Sequence, residues 1–343
     1  MKLLSKKIPL YFVLLASLLG ALISYSFISF KKNDNNDSSV QTGTPVSATE
    51  SCSFNINRLG GHKFIKPLLY AEKTCEADKF VGVKSSVTNL IEEFKTKGEI
   101  TDASVYLRLF SKGEWTSIND EKKYEPGSLF KVPLLITYLR LAEHNPALLN
   151  KKITFNLISN ESKGLKQEFL KNAIKIGESY AVNELFRYMI VHSDNNATML
   201  LMNNISFEEF QKTFTDMGIS KELTKNDAVI SAREYSVFWL ALYNGSYLNF
   251  DNSEYALSLL SQTDFSEGIL KGLPQGTRIS HKFGEKGNIT THIHNLSETA
   301  IVYINNNSYL LTIMTKGNDQ AKLPKVIQAI SSQVYNNVEG FTR

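Results

Sequence analysis

Three short groups of residues could together carry out one reaction. The first is Ser128-Leu129-Phe130-Lys131, preceded by Pro126-Gly127. A serine hydroxyl is a poor nucleophile until a base takes its proton. A spacing of three residues puts Lys131 on the same helical face as Ser128. Lysine can be that base only while its amine is neutral, and burial or a second nearby cation favours the neutral form. The start of a helix also offers free backbone N–H groups, which suit an anion. Pro133 has no N–H, so the Leu129 carbonyl loses its helical partner. The second group is Ser193-Asp194-Asn195, and the third is Lys282-Phe283-Gly284 at the end of a predicted strand. Singly, each has a plain structural account. These are an N-capping serine with a surface lysine, a helix N-cap before Ala197–Met202, and an edge-strand lysine before a turn glycine. Together they supply a nucleophile, two amines, a proton relay and an amide.

In this order, Ser-x-x-Lys, Ser-Asp-Asn and Lys-x-Gly mark the class A β-lactamases and penicillin-binding proteins. The chain resembles that superfamily of penicillin-recognising serine hydrolases (β-lactamases and DD-peptidases), and most closely the class A β-lactamase catalytic domain. The resemblance covers about residues 60–338. It includes the surroundings PGSLFKVPLL, ELFRYMIVHSDNNAT and ISHKFGE, and the late segment TAIVYINNNSYLLTIMTKG. It implies that Ser128 is the acylated nucleophile and Lys131 its base, directly or through water. Ser193 relays a proton to the leaving nitrogen, and Asn195 holds the substrate amide and Lys131. Lys282 raises the positive potential and helps bind a carboxylate, while Gly284 lets substrate lie against the strand. The backbone N–H groups of Ser128 and Glu285 form the oxyanion hole. No cofactor is implied. The substrate is a β-lactam amide or, alternatively, a peptidoglycan stem peptide. A non-catalytic cell-wall-binding relative is the third reading.

Two departures stand out. Phe283 replaces the usual Thr or Ser of the third motif and cannot donate a hydrogen bond to a substrate carboxylate. Between Asn195 and Lys282 there is no Glu-x-x-Leu-Asn, the loop motif whose glutamate activates the deacylating water in class A enzymes. Glu222 is the nearby carboxylate to consider, against the plainer account of a solvated residue at a helix end. Lys131 or Ser193 could also activate water. His281, His292 and His294 cluster in sequence but lack the carboxylate or cysteine spacing of a zinc site. They read as polar strand residues near the site. Trp115 and Trp239 read as core residues.

Periodicity supplies the frame that must position these groups. Helical spacing predicts helices over Lys84–Lys97, Val132–Leu141, Ala181–Val191, Phe207–Met217, Ala232–Tyr243 and Lys325–Val334. The second of these is apolar nearly all round, so it should be buried on every side. Strand signals cover Ala103–Phe110, with Glu114–Ile118 pairing back through the Lys112-Gly113 turn. Later strands are predicted at Arg278–Phe283, Glu298–Ile304 and Tyr309–Thr315, with a turn at Asn305–Asn307. The order implies an α/β (α+β) fold, in which an antiparallel sheet flanked by helices carries an inserted all-helical lobe. That is the β-lactamase/transpeptidase-like arrangement the resemblance also implies.

The amino terminus sets the expected compartment. Ile8 to Phe30 is a 23-residue stretch without a charge, flanked by Lys2, Lys6 and Lys7 before and Lys31 and Lys32 after. It is long enough for a transmembrane helix, too long for an ordinary cleaved signal, and lacks an A-x-A end. The reading is a signal-anchor at 8–30 with a cytoplasmic tail at 1–7. A linker at 31–58 and a catalytic domain at 59–338, outside the cytoplasm of a bacterium, complete the chain. Cys52 and Cys75 can then form a disulfide. A net charge of +4, with scattered lysines, gives no nucleic-acid stripe. Hydrophobic residues at 42% and charged residues at 21% exclude a disordered or polytopic membrane chain. The expected partners are the substrate and the membrane, with no nucleic acid, and the chain is expected to be a monomer.

Overall fold

The computed structural model describes residues 52–156, 169–220, 228–288, 291–304 and 308–340. The expected tail, anchor, linker residues 31–51, Glu222 and the Asn305–Asn307 turn lie outside the described residues. Among the described residues, no helix is long and apolar enough to cross a membrane. The described residues from Cys52 onward form one compact unit.

The unit opens with a hairpin of β1 (Phe54–Arg58) and β2 (Leu68–Lys73), followed by α1 (Val81–Thr96), β3 (Asp102–Leu109) and β4 (Trp115–Ile118). A 3-10 turn over Gly127–Phe130 leads into α2 (Lys131–His144). Short strands β5 (Lys152–Thr154) and β6 (Ser179–Ala181) precede α3 (Val182–Ile190), α4 (Asn195–Met202) and α5 (Phe207–Asp216). Then come α6 (Ala232–Tyr243), α7 (Phe250–Leu260), β7 (Arg278–Asn288), β8 (Ile293–Tyr303), β9 (Tyr309–Gly317) and α8 (Leu323–Gly340). Five strands form an antiparallel sheet in the order β4-β3-β9-β8-β7.

Strand alternation splits the core in two. Val105, Leu107 and Leu109 of β3 face α1 and α8, whose Val87, Ile91, Ile327 and Ile330 are fully buried. Tyr106 on the other face joins the larger core with α2, α3 and α6. Helix α2 is buried from Lys131 through Leu139, as an all-round apolar pattern requires. The α+β arrangement with a helical lobe is therefore the observed one.

Two boundaries differ from expectation. The strands β7 and β8 run longer than predicted, because they pair with each other from Arg278↔Tyr303 to Asn288↔Ile293. Residues 54–58, expected as linker, form β1. Their ladder to β2 runs from Phe54↔Lys73 to Arg58↔Leu68 with a bulge, and a Cys52–Cys75 disulfide closes its open end. The strand gave little signal because its apolar residues do not enter either core.

Candidate active site

The Ser128 turn is held by backbone contacts that only glycine allows. Gly127 has φ +52°, and a Cβ there would lie 2.3 Å from the Glu285 carbonyl oxygen. A Cβ on Gly284 would lie 2.3 Å from the Pro126 carbonyl oxygen and 2.7 Å from Leu129 N. The Ser128 turn and strand β7 thus meet main chain to main chain. Pro133 leaves the Leu129 carbonyl without its helical donor, and Tyr235 Oη from α6 fills that place at 2.8 Å. The missing proline N–H therefore becomes a tie between the Ser128 turn and the helical lobe.

Ser193 lies just before α4, in the left-handed region with φ 57°. A non-glycine residue holds that conformation only when its surroundings enforce it. Asp194 supplies the enforcement. Its carboxylate is fully buried and accepts from Asn196 N and Ile174 N, both at 2.9 Å. Asp194 is also the N-cap of α4, so the capping account of this motif holds. Burial raises the Asp194 pKa, opposed mainly by the Ile174 and Asn196 N–H groups.

Four motif side chains converge here. The Lys131 amine donates to the Ser193 carbonyl and, at 2.9 Å, to Asn195 Oδ1. It lies 3.1 Å from Ser193 Oγ. Lys282 Nζ lies 2.9 Å from the same hydroxyl and 2.9 Å from the Phe283 carbonyl oxygen. Both lysines are buried. Burial pulls the Lys131 pKa down to about 7, partly opposed by Asp194 and Glu285. Burial, then the charge of Lys131, pulls Lys282 well below its ordinary value. Two cations facing one hydroxyl repel each other, so at least one amine is driven toward neutrality. A carbonyl and Asn195 Oδ1 only accept hydrogen bonds, so they take two N–H groups of Lys131. When that amine is neutral, its lone pair is left for a hydroxyl. Ser128 is buried one turn before Lys131.

The residue that departs from the motif takes a different place. Phe283 is buried, stacked on Phe265 at 4.4 Å and edge-on to Phe169 at 5.6 Å. Lys282 Nζ sits 4.1 Å from its ring centroid. Phe283 thus builds an aromatic wall beside the lysine. Phe169 and Phe265 had no local sequence signal, since neither is near Lys282 in the chain. Glu285 is oriented by Gln320 Nε2, which donates to it at 2.7 Å. His281 turns into the core, with Nδ1 2.7 Å from Glu298 Oε1. Glu298 Oε2 accepts from Ile269 N at 2.7 Å. That pair braces β7 directly behind Lys282, while His294 pairs with Gly287 farther along the ladder. Trp115 and Trp239 are core residues.

Between α5 and α6, the described residues 217–220 and 228–231 include no carboxylate. A separate cavity of about 500 Å³ lies between the hairpin and α6. Its most buried charge, Glu72, is already matched. Glu72 accepts from Arg233 at 2.7 Å and from Tyr106 Oη at 2.5 Å, and Arg108 lies 3.2 Å away.

An antiparallel sheet with a helical lobe, with Lys131, Ser193, Asn195 and Lys282 gathered at its β7 edge beside the Ser128 turn, fits the penicillin-recognising serine hydrolases. Residues 82–338 match the model of the β-lactamase enzyme family, and the chain belongs to that family. Among solved structures it is similar to PBP-A, with 18% identity, a TM-score of 0.61, and coverage of 76% of this chain and 97% of that one. A PBP-A variant solved as an acyl-enzyme complex with penicillin G matches at 19% identity and a TM-score of 0.63, covering 76% and 97%. A class A β-lactamase from Mycobacterium abscessus matches at 16% identity and a TM-score of 0.61, covering 76% and 100%. At these identities the likeness is one of fold. No curated protein matches the chain in sequence.

Proposed function

We propose that this chain is a membrane-anchored serine acyl-transfer enzyme, working outside the cytoplasm on a β-lactam amide through a Ser128 acyl-enzyme. The observation that carries this reading is the meeting of Lys131 and Lys282 on one Ser193 hydroxyl, at 3.1 and 2.9 Å. Neutral Lys131 takes the Ser128 proton as Oγ bonds to the carbonyl carbon. The developing oxyanion is received by the N–H groups of Ser128 and Glu285. As the C–N bond breaks, Ser193 gives its proton to the leaving nitrogen and regains one from Lys131. The proton is passed along and none is lost. Asn195 holds both Lys131 and the substrate amide, and Lys282 keeps the potential positive at a substrate carboxylate. The uncharged stretch 8–30 supports an anchor.

A second reading has its own support. Between Asn195 and Lys282 the sequence carries no Glu-x-x-Leu-Asn, the loop motif whose glutamate activates the deacylating water in class A enzymes. The chain would then behave as a slow-turnover penicillin-binding protein or DD-peptidase on peptidoglycan stem peptides. Likeness to the PBP-A fold fits this reading as well as the first. Intact mass and penicillin hydrolysis, followed beside Ser128→Ala, separate the two. Fast hydrolysis without a lasting adduct supports β-lactamase action. A lasting adduct on the wild type alone supports the second reading. Neither signal sinks both.

A further inference from the structure

Strand β1 is patterned inside out, while Leu69 of β2 enters the larger core. Side chains at successive strand positions point to opposite faces. The face turned to the domain carries Asn57, whose Nδ2 donates to Tyr70 Oη and the Met217 carbonyl, both at 3.2 Å. It also carries Glu72, bonded to Tyr106 and Arg233. The opposite face carries Phe54 and Ile56, paired with Lys73 and Ala71. Phe54 is 59% exposed and Ile56 53%. The connecting loop adds Phe64 at 88% and Ile65 at 60% exposure, and Leu68 follows. Five of the twelve exposed large hydrophobic residues in the described part of the chain thus fall within residues 54–68. Such a concentration marks an interaction surface rather than scattered exposure.

Charge and chain position identify the occupant. From Cys52 to Ala71 there is no acidic residue, while Arg58, Lys63 and Lys66 flank the apolar side chains. Basic residues beside exposed Phe and Ile suit the interface of an anionic bilayer, where aliphatic stems bury and charges meet headgroups. The uncharged stretch ends at Phe30, and 21 residues separate it from Cys52. Those residues reach at most about 75 Å, so an anchored chain holds the hairpin near a bilayer. We infer that the outer face of the β1–β2 hairpin docks on anionic phospholipid headgroups, an inference that rests on the membrane-anchored reading above.

The test uses the full chain reconstituted in vesicles of phosphatidylcholine, with or without a quarter of phosphatidylglycerol. The indole introduced by Phe64→Trp is read with brominated acyl chains as quencher. Trp115 and Trp239 are buried and supply the background. The expected result is at least twofold stronger quenching than wild type in the anionic vesicles, lowered by adding Lys63→Glu and Lys66→Glu. Penicillin acylation, unchanged in these variants, reports an intact fold. An unquenched indole in anionic vesicles overturns the inference. An unquenched indole with cross-linked pairs of chains overturns it in favour of a second copy. Flotation after an alkaline wash tests the anchor separately. A washed-off chain whose indole is still quenched before the wash loses the anchor and keeps the docking face.

Discussion

Lys131 sets the pH behaviour of the site. In the proposed mechanism its neutral form is the base, and its pKa lies at about 7 in the fold. Acylation by penicillin should therefore rise about tenfold per pH unit below that value and level off above it. Lys131→Ala should remove this limb and slow acylation by about 10²–10⁴; stopped-flow acylation across pH checks both. The same shift affects stability. Between about 7 and the ordinary lysine value of 10.5, the unfolded chain holds a proton that the folded chain does not. The stability contribution is therefore largest at high pH and falls as pH drops through that window. Lys131→Met should flatten this slope in denaturant titrations at pH 7 and 10. At this scale the sequence was informative about chemistry and silent about support. Ser128, Lys131, Ser193 and Lys282 could be named from their motifs. Asp194 as brace, Tyr235 as donor to Leu129 and Phe265 beside Phe283 could not. Each acts across a distance that only the fold closes. Pro133 did announce an unpaired carbonyl, but not which helix would answer it.

At the scale of elements, the site depends on the Ser128 turn touching strand β7. Gly284→Ala places a methyl group against two backbone atoms, the Pro126 oxygen and Leu129 nitrogen. Neither can swing aside like a side-chain end. Displacing the turn by even about 1 Å should cost about 10² in acylation rate. Adduct formation measured by mass, alongside an unchanged circular dichroism spectrum, checks this. The periodic elements were legible because their apolar faces enter a core. Helices α2 and α6 and strands β3 and β9 were read close to their observed ends. The β1–β2 hairpin was not, because its outer face breaks the inside–outside rule that makes strands readable. Helix α7 was missed as well. Asn249 caps it by accepting from Asn252 N, a signal too common to stand alone.

At the scale of the whole molecule, the hairpin is fastened to the rest of the fold by charge, and its own open end is closed by sulfur. Glu72 is buried among Arg108, Arg233 and Tyr106. Removing it by Glu72→Ala strands buried positive charge and should destabilise by about 3–5 kcal/mol. Thermal or denaturant unfolding reads that loss, while Ser128 acylation at low temperature should persist, since the hairpin packs at the sheet's far side. Trp115 of β4 donates to the Lys73 carbonyl at 2.7 Å, whereas Lys282 lies on β7 at the other edge. Four strand spacings of about 4.8 Å put roughly 19 Å of sheet between those edges.

The disulfide also decides how a mechanical load enters. Tension applied from the amino-terminal side reaches Cys52 and crosses the sulfur bridge directly to Cys75. The residues between them are shunted out of the force path, so the hairpin is not peeled open as the chain is pulled. Reduction would return that loop to the line of load and lengthen the extensible chain by about 75–80 Å. Oxidised, the hairpin stays outside the line of such a pull, and the first elements to feel it are those after Cys75.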